Sequence, residues 1–321
     1  MNIPKPLQKG DTVAITAASG VVNAHDLAKG ILAIKNLGLN VHVSESCLAR
    51  HPYCNYLAGS CALRAAELQK AFENRDIHGI FMARGGYGAG QILPLLNYEN
   101  IAKNPKVFVG YSDVTALHIA LNQKCNMQTF HGPMVASCFG KDNMHKETLQ
   151  SFVDMVFGNA AAIDLLGNSS KRTKMRPGSE IFSSAFLDFQ GNLMEYPLKV
   201  LSPGNVTGIL TGGNLTVVAS TIGTPYEIDT RGCILFLEDI DEPLYKIDRL
   251  LLQLKLAGKL EQAAGFIFGD FSPISCEALR PVISEYIRIG QQKKPALWGL
   301  SAGHVSPNFT LPLGQVVSIV K

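Results

Sequence analysis

The chain has 321 residues, a length that predicts about two domains. Its 46% apolar content can fill a sizeable core, and 17% charged residues are too few for a disordered chain. A formal net charge of +3, spread without a basic run, excludes the electrostatic footprint of a nucleic-acid binder.

Taken in chain order, the first half alternates short apolar runs with helical patterns. Strands are expected at Thr12 to Ala18, Asn40 to Ser44, Ile77 to Ala83 and Lys106 to Val109. Helices are expected between them, at Asp26 to Leu37, Leu63 to Glu73 and Val114 to Asn122. That alternation implies βαβ units and a mostly parallel sheet, which binds ligands in the loops after its strands. Those loops are Ala18-Ser19-Gly20, Arg84-Gly85-Gly86-Tyr87-Gly88 and Gly110-Tyr111-Ser112-Asp113.

The texture changes near residue 160, and residues 159–185 read as a linker rich in Gly, Asn, Ser, Lys and Arg. Beyond it, strands are expected at Val206 to Leu210, Leu215 to Ser220, Cys233 to Leu237, Ala264 to Phe268 and Gln315 to Val320. Helices are expected at Leu244 to Leu256 and Cys276 to Ile289. The organisation expected is therefore an N-terminal α/β domain over 1–158, the linker, and a C-terminal α+β domain over 186–321.

Seven cysteines, scattered and without a CxxC pair, argue against a disulfide framework and a structural zinc site. Cys47, Cys54 and Cys61 stand seven residues apart, but no closer ligand pair accompanies them. The reading expects a reducing compartment. It expects no secretory signal, because Met1 to Asp11 lacks an apolar core, and no run of about 18 apolar residues to span a membrane.

Four loops hold residues that could carry chemistry. In Gly110-Tyr111-Ser112-Asp113 a strand gives way to a serine and then a helix, a geometry like a nucleophile elbow, although Val114 stands where G-x-S-x-G would need glycine. Taken alone, Ser112 reads more readily as an ordinary helix N-cap than as a nucleophile. The Arg84 to Gly90 loop could cradle phosphate or aim backbone N–H groups at an oxyanion. It contains neither GxxxxGK[ST] nor GxGxxG at a first βα turn, which weakens the nucleotide reading.

The segment Glu238-Asp239-Ile240-Asp241-Glu242 reads as a solvated acidic turn, as a Mg²⁺ or Ca²⁺ site without the D-x-D-x-D-G pattern, or as the source of a carboxylate that orients a histidine. His304, in a glycine-started loop, could point into a cleft, and His131 is a second loop candidate. His25, His51 and His145 read as surface residues, and His42, His78 and His118 as residues packed within elements.

Together these loops resemble the serine LD-carboxypeptidase family, which includes muramoyltetrapeptide carboxypeptidase and the microcin C immunity peptidases. The resemblance runs from Leu7-Gln8-Lys9-Gly10-Asp11 through RGGYG, GYSD and HGPM to Gly212-Gly213-Asn214-Leu215, Gly223-Thr224-Pro225, the LED segment and GH…NFTLPLG. The spacing of Ser112, Glu238 and His304 fits the family's two-domain layout, and one departure, Ala17-Ala18-Ser19 for Ala-Pro-Ser, leaves those positions untouched.

The fold so implied is α/β, with an N-terminal Rossmann-like, mostly parallel sheet domain and a C-terminal α+β domain of the swivelling β/β/α-like kind. The resemblance also implies a triad, with Ser112 as nucleophile, His304 as general base and Glu238 as its orienter. Gly86 and Asp113 would supply backbone N–H groups to an oxyanion hole. It implies a cytoplasmic, homodimeric hydrolase that cuts the L,D bond of murein tetrapeptide, without metal, cofactor, nucleic acid or membrane.

Three alternatives stand beside that reading. One is an immunity-type peptidase acting on a peptidyl-nucleotide, for which Trp298 gives no clear support. Another is a non-catalytic ligand-binding protein, against which the intact Ser112, Glu238 and His304 set argues. The third is a cysteine amidase using Cys138 with His131. Arg84 could meet a substrate carboxylate, or could instead tie the glycine loop to a neighbouring carboxylate, the structural role being the more favoured.

Overall fold

The computed structural model describes residues 1–166, 182–183, 186–187, 193–194, 198–289 and 292–320. Its contacts divide it into two units, Met1–Asn168 with Pro307–Pro312, and Ser169–Ser306 with Leu313–Lys321. No helix among the described residues is long and apolar enough to cross a membrane.

The first unit runs β1 (Thr12–Thr16), α1 (Ala24–Asn36), β2 (Asn40–Val43), α2 (Cys61–Glu73), β3 (Gly79–Met82), α3 (Ala89–Ile92), α4 (Tyr98–Ala102), β4 (Val107–Gly110), α5 (Thr115–Cys125), β5 (Thr129–His131) and α6 (Lys146–Leu166). Strands β1 to β5 pair in parallel, in the order β5-β4-β3-β1-β2. Every residue of β3 and β4 is buried, which is why both strands read as unbroken apolar runs.

Register places Ile80 beside Phe108 and Phe81 beside Val109, so the two phenylalanines face opposite sides of the sheet. Phe81 meets Phe152 of α6 edge-on at 5.3 Å, while Phe108 stacks on Phe72 of α2 at 6.0 Å. The two helix layers are thus anchored by aromatic pairs from adjacent strands. Short polar caps begin the helices: Asn23 accepts from the N–H groups of His25 and Asp26 at α1, and Ser60 accepts from Leu63 at α2.

The second unit contains β6 (Phe182–Ser183), β7 (Phe186–Leu187), β8 (Leu193–Met194), β9 (Lys199–Ser202), β10 (Val206–Asn214), α7 (Leu215–Ser220), β11 (Cys233–Glu238), α8 (Leu244–Leu256), α9 (Lys259–Gln262), β12 (Gly265–Phe268), α10 (Cys276–Tyr286), β13 (Arg288–Ile289), β14 (Gln292–Lys293) and β15 (Ala296–Trp298). β16 (Leu311–Leu313) then lies beside β5 of the first sheet, and β17 (Val316–Val320) closes the chain. The centre of the second sheet is the parallel set β10-β11-β12-β15, flanked by antiparallel β17 and β9.

Several expectations change. Leu215 to Ser220, a β-branched run expected as a strand, is helix α7. The Asn214 side chain caps it by accepting from Val217 N–H, and Asp239 accepts from Thr216 N–H, so local capping overrides strand propensity. The helix expected to reach Ile289 ends at Tyr286.

α6 takes in the first residues of the stretch read as a linker, with a break at Gly158 (φ 74°). The rest of 159–185 lies, except for β6, outside the described residues. His131 is a fully buried residue ending β5, not a loop residue. His118 packs inside α5 as expected, but His42 and His78 are exposed because each occupies the solvent side of its segment.

Candidate active site

Ser112 follows directly from the end of β4. It opens a single tight turn, Ser112–Val114, that leads into α5. Its φ is 65°, a left-handed conformation that a residue with a side chain adopts at a cost of order 1–3 kcal/mol. The N-cap reading fails, since Val114 stands at the cap position of α5 and no side chain caps that helix. A strained serine at a strand-to-helix turn is the geometry of a nucleophile elbow.

The glycine loop lies against this serine. A Cβ built on Gly85 would stand 2.8 Å from both Cβ and Oγ of Ser112, so only glycine permits that approach. It would also stand 3.4 Å from the backbone nitrogen of Asp113. Gly86 follows with φ 112°. The glycine loop, through Gly85, and the Ser112 turn thus lie against each other within one unit.

The Asp113 side chain turns inward and is buried. Its Oδ2 accepts hydrogen bonds from Ser19 Oγ at 2.6 Å and Ala89 N–H at 2.7 Å. Burial raises its pKa, against the opposing pull of these two bonds and of the Arg64 charge. The Ser19 turn and the glycine loop are thus bonded to the residue after the candidate nucleophile.

A chain of hydrogen bonds fixes the strand end before Ser112. Asn122 Nδ2 donates to Thr129 Oγ1 at 3.1 Å, and Thr129 Oγ1 lies 2.9 Å from His118 Nδ1. His118 Nε2 lies 2.8 Å from the Gly110 carbonyl. A carbonyl only accepts, so Nε2 carries the proton and Nδ1 accepts from threonine. Burial lowers the His118 pKa to about 4, which keeps the ring neutral and excludes it as a base titrating near neutrality.

In the second unit, β10 and β11 run in parallel register and end together at Asn214 and Glu238. Glu238 is fully buried, and its Oε2 accepts from His304 Nδ1 at 2.7 Å and from His304 N–H at 3.2 Å. Gly303 makes this possible. Its φ is 101°, and a Cβ there would stand 2.4 Å from Glu238 Oε2. The carboxylate fixes the proton on Nδ1 and leaves Nε2 as the basic nitrogen. Burial lowers the His304 pKa, but the hydrogen bond and charge of Glu238, with Asp239 and Asp241, outweigh it and raise the value.

Two of the remaining carboxylates of the acidic segment, Asp239 and Glu242, are committed to other partners. Asp239 accepts from Asn214 Nδ2 and from the backbone and hydroxyl of Thr216. Asp241 takes a positive φ of 58°, and Glu242 pairs with Lys246 at 2.7 Å. Among the described residues no group of His, Cys, Asp and Glu could hold a metal ion.

Arg84 is exposed and donates to the Val21 carbonyl at 3.1 Å, so its tie is to backbone and not to a carboxylate. The Cys138 thiol donates to Tyr111 Oη at 3.6 Å, and burial raises its pKa, which opposes the thiolate a cysteine amidase needs. Trp298 is buried against Phe271 at 6.3 Å. Sequence reasoning missed Arg64, Ser19 and the Asp113 side chain. The one available signal was an arginine inside an otherwise buried helix face.

The sequence matches the model of the LD-carboxypeptidase N-terminal domain over residues 13–132 and that of the LD-carboxypeptidase C-terminal domain over residues 207–319. It is 37% identical to a probable murein peptide carboxypeptidase of Bacillus subtilis (strain 168), over 97% of this chain and 89% of the relative. Among solved structures, an MccF-like protein from Bacillus anthracis str. Ames superposes with a TM-score of 0.82 at 26% identity, covering 100% of this chain and 96% of that one. A muramoyltetrapeptide carboxypeptidase from Oxalobacter formigenes gives 0.75 at 28% identity, covering 97% and 95%. The chain belongs to the LD-carboxypeptidase family of serine peptidases.

Proposed function

We propose that this enzyme is a cytoplasmic LD-carboxypeptidase that hydrolyses the L,D amide bond of murein tetrapeptide and releases the terminal D-alanine during peptidoglycan recycling. The observation that carries the reading is the buried Glu238–His304 pair at 2.7 Å in a family chain whose Ser112 occupies a strained strand-to-helix turn. The substrate follows from the names of the relatives, a probable murein peptide carboxypeptidase and a muramoyltetrapeptide carboxypeptidase. The cytoplasmic setting and a homodimeric state rest on the family resemblance.

In this reading Ser112 Oγ attacks the carbonyl carbon of the scissile bond while its proton passes to His304 Nε2. Glu238 stabilises the imidazolium that forms. The oxyanion accepts hydrogen bonds from the N–H groups of Gly86 and Asp113, each such donor being worth about 10²–10³ in rate. The C–N bond then breaks and His304 returns its proton to the departing amine of D-alanine. Water, deprotonated by His304, attacks the acyl-enzyme carbonyl; the acyl–Oγ bond breaks, His304 returns the proton to Ser112 Oγ, and the shortened peptide leaves.

The test is D-alanine release from purified murein tetrapeptide by wild type and Ser112→Ala, with a peptidyl-adenylate as second substrate. Release by wild type alone is the expected result. Cleavage of the adenylate without D-alanine release would move the enzyme to the immunity-type activity. Equal rates in wild type and Ser112→Ala would remove Ser112 as nucleophile.

A further inference from the structure

Arg64 lies on α2 and is 1% exposed. Nη1 donates to the carbonyls of Ala18 at 2.5 Å and Gly88 at 2.7 Å, and Nη2 donates to Gln91 Oε1 at 2.7 Å. A buried guanidinium bound chiefly to main-chain carbonyls is costly to desolvate, and its placement calls for a reason beyond packing.

The partners of Arg64 are the immediate neighbours of those of Asp113. Asp113 accepts from Ser19 Oγ and Ala89 N–H, while Arg64 donates to Ala18 O and Gly88 O. The Gly88 carbonyl and the Ala89 N–H belong to one peptide unit. That peptide stands between a buried cation at its oxygen and a buried carboxylate at its nitrogen, with its dipole aligned to both. The same two charges grip the Ala18–Ser19 turn. Gly20 N–H in turn donates to the Gly85 carbonyl at 3.1 Å, tying that turn to the other end of the glycine loop. At Gly88 a Cβ would stand 2.6 Å from Arg64 Nη1, so the close approach of the guanidinium requires glycine.

We infer that Arg64 is a positioning residue, which acts with Asp113 through the Gly88–Ala89 peptide to hold the glycine loop, and with it Gly86, against Ser112. The loop is clamped by the side chain of the residue whose own N–H is the second oxyanion donor, so the two donors are mechanically tied. The inference rests on the oxyanion roles proposed above for its effect on rate, and on the hydrogen bonds alone for the clamp. Lysine cannot replace the arginine, because a single ammonium lacks the planar fork that reaches two carbonyls and Gln91 together.

The experiment compares wild type with Arg64→Met, Arg64→Lys and Asp113→Asn, by amide hydrogen exchange over residues 84–91 and by kcat and KM for murein tetrapeptide. In Arg64→Met, exchange in that segment should rise about tenfold or more while the β3 core stays protected. Its kcat should fall about 10²-fold with KM little changed. Arg64→Lys should keep its loop loosened despite the retained charge. Asp113→Asn, which keeps the backbone N–H, should loosen the same segment and decides the matter if Arg64→Met does not fold.

Unchanged loop exchange in the folded variants overturns the clamp. A loosened loop with wild-type kcat overturns its role in positioning the donors. If wild type releases no D-alanine, the proposed function falls, and the exchange measurements still decide the clamp.

Discussion

Glu238 and His304 are joined twice through a single oxygen: Oε2 accepts from both the ring Nδ1 at 2.7 Å and the backbone N–H of the histidine at 3.2 Å. The side-chain bond fixes the tautomer, and the backbone bond fixes where the histidine starts. A carboxylate on the end of a central strand thus sets both the orientation and the position of the proposed base.

The first prediction follows from the sign of the His304 shift. The proposed base works only as neutral imidazole, and its pKa is raised above the usual histidine value by the hydrogen bond and charge of Glu238 outweighing burial. Activity should therefore fall with decreasing pH from a limb that lies above 6.5. Glu238→Gln removes the charge, so the limb should move to lower pH, and kcat/KM on its plateau should drop by about 10³–10⁴. The measurement is kcat/KM against pH for both proteins. A limb at the same pH in both would show that Glu238 does not set the His304 pKa.

The second prediction concerns His118, whose folded pKa of about 4 lies well below the unfolded value near 6.5. Between those values the unfolded chain binds the proton and the folded chain does not. Stability contributed at neutral pH is then lost as pH falls through that window, by about 3 kcal/mol at its end. Urea unfolding of wild type and His118→Gln at pH 7 and pH 4 measures it. The variant carries no group at this position that titrates in this window and should lose less on acidification. Parallel losses in the two proteins would contradict the assignment.

How much of this was legible in the sequence depends on whether the signal was local. Leu244–Leu256 forms the expected helix residue for residue because its apolar period and its Pro243 entry are both local. The strands β1, β3, β4 and β11 fall within a few residues of expectation because buried parallel strands are unbroken apolar runs. Leu215–Ser220 was misread because the cap that makes it a helix includes Asp239, on a different strand end. His131 was misread because its strand, Thr129–His131, is three residues long and gains its place only by pairing with β4. The residues expected at the site stood out as motifs, but the pairing of Arg64 and Asp113 across one peptide unit did not. No spacing rule relates a mid-helix arginine to a glycine loop more than twenty residues on.

The last prediction separates the chemistry of Ser112 from its backbone. Its φ of 65° is held by the turn between β4 and α5 and by Gly85 pressed against its side chain. Glycine reaches that conformation without the penalty that any Cβ incurs. Ser112→Ala and Ser112→Gly both remove the hydroxyl, so both should abolish turnover. They should differ in stability: Ser112→Ala keeps the strained Cβ, whereas Ser112→Gly releases it and should unfold at higher denaturant, by about 1 kcal/mol. Denaturant midpoints of the two inactive variants give the comparison directly. If alanine equals or exceeds glycine, the serine is not held under strain, and the turn owes its shape to something other than presenting a hydroxyl. If glycine is the more stable, the chain gives up stability at this one position, and the residue for which it does so is the proposed nucleophile.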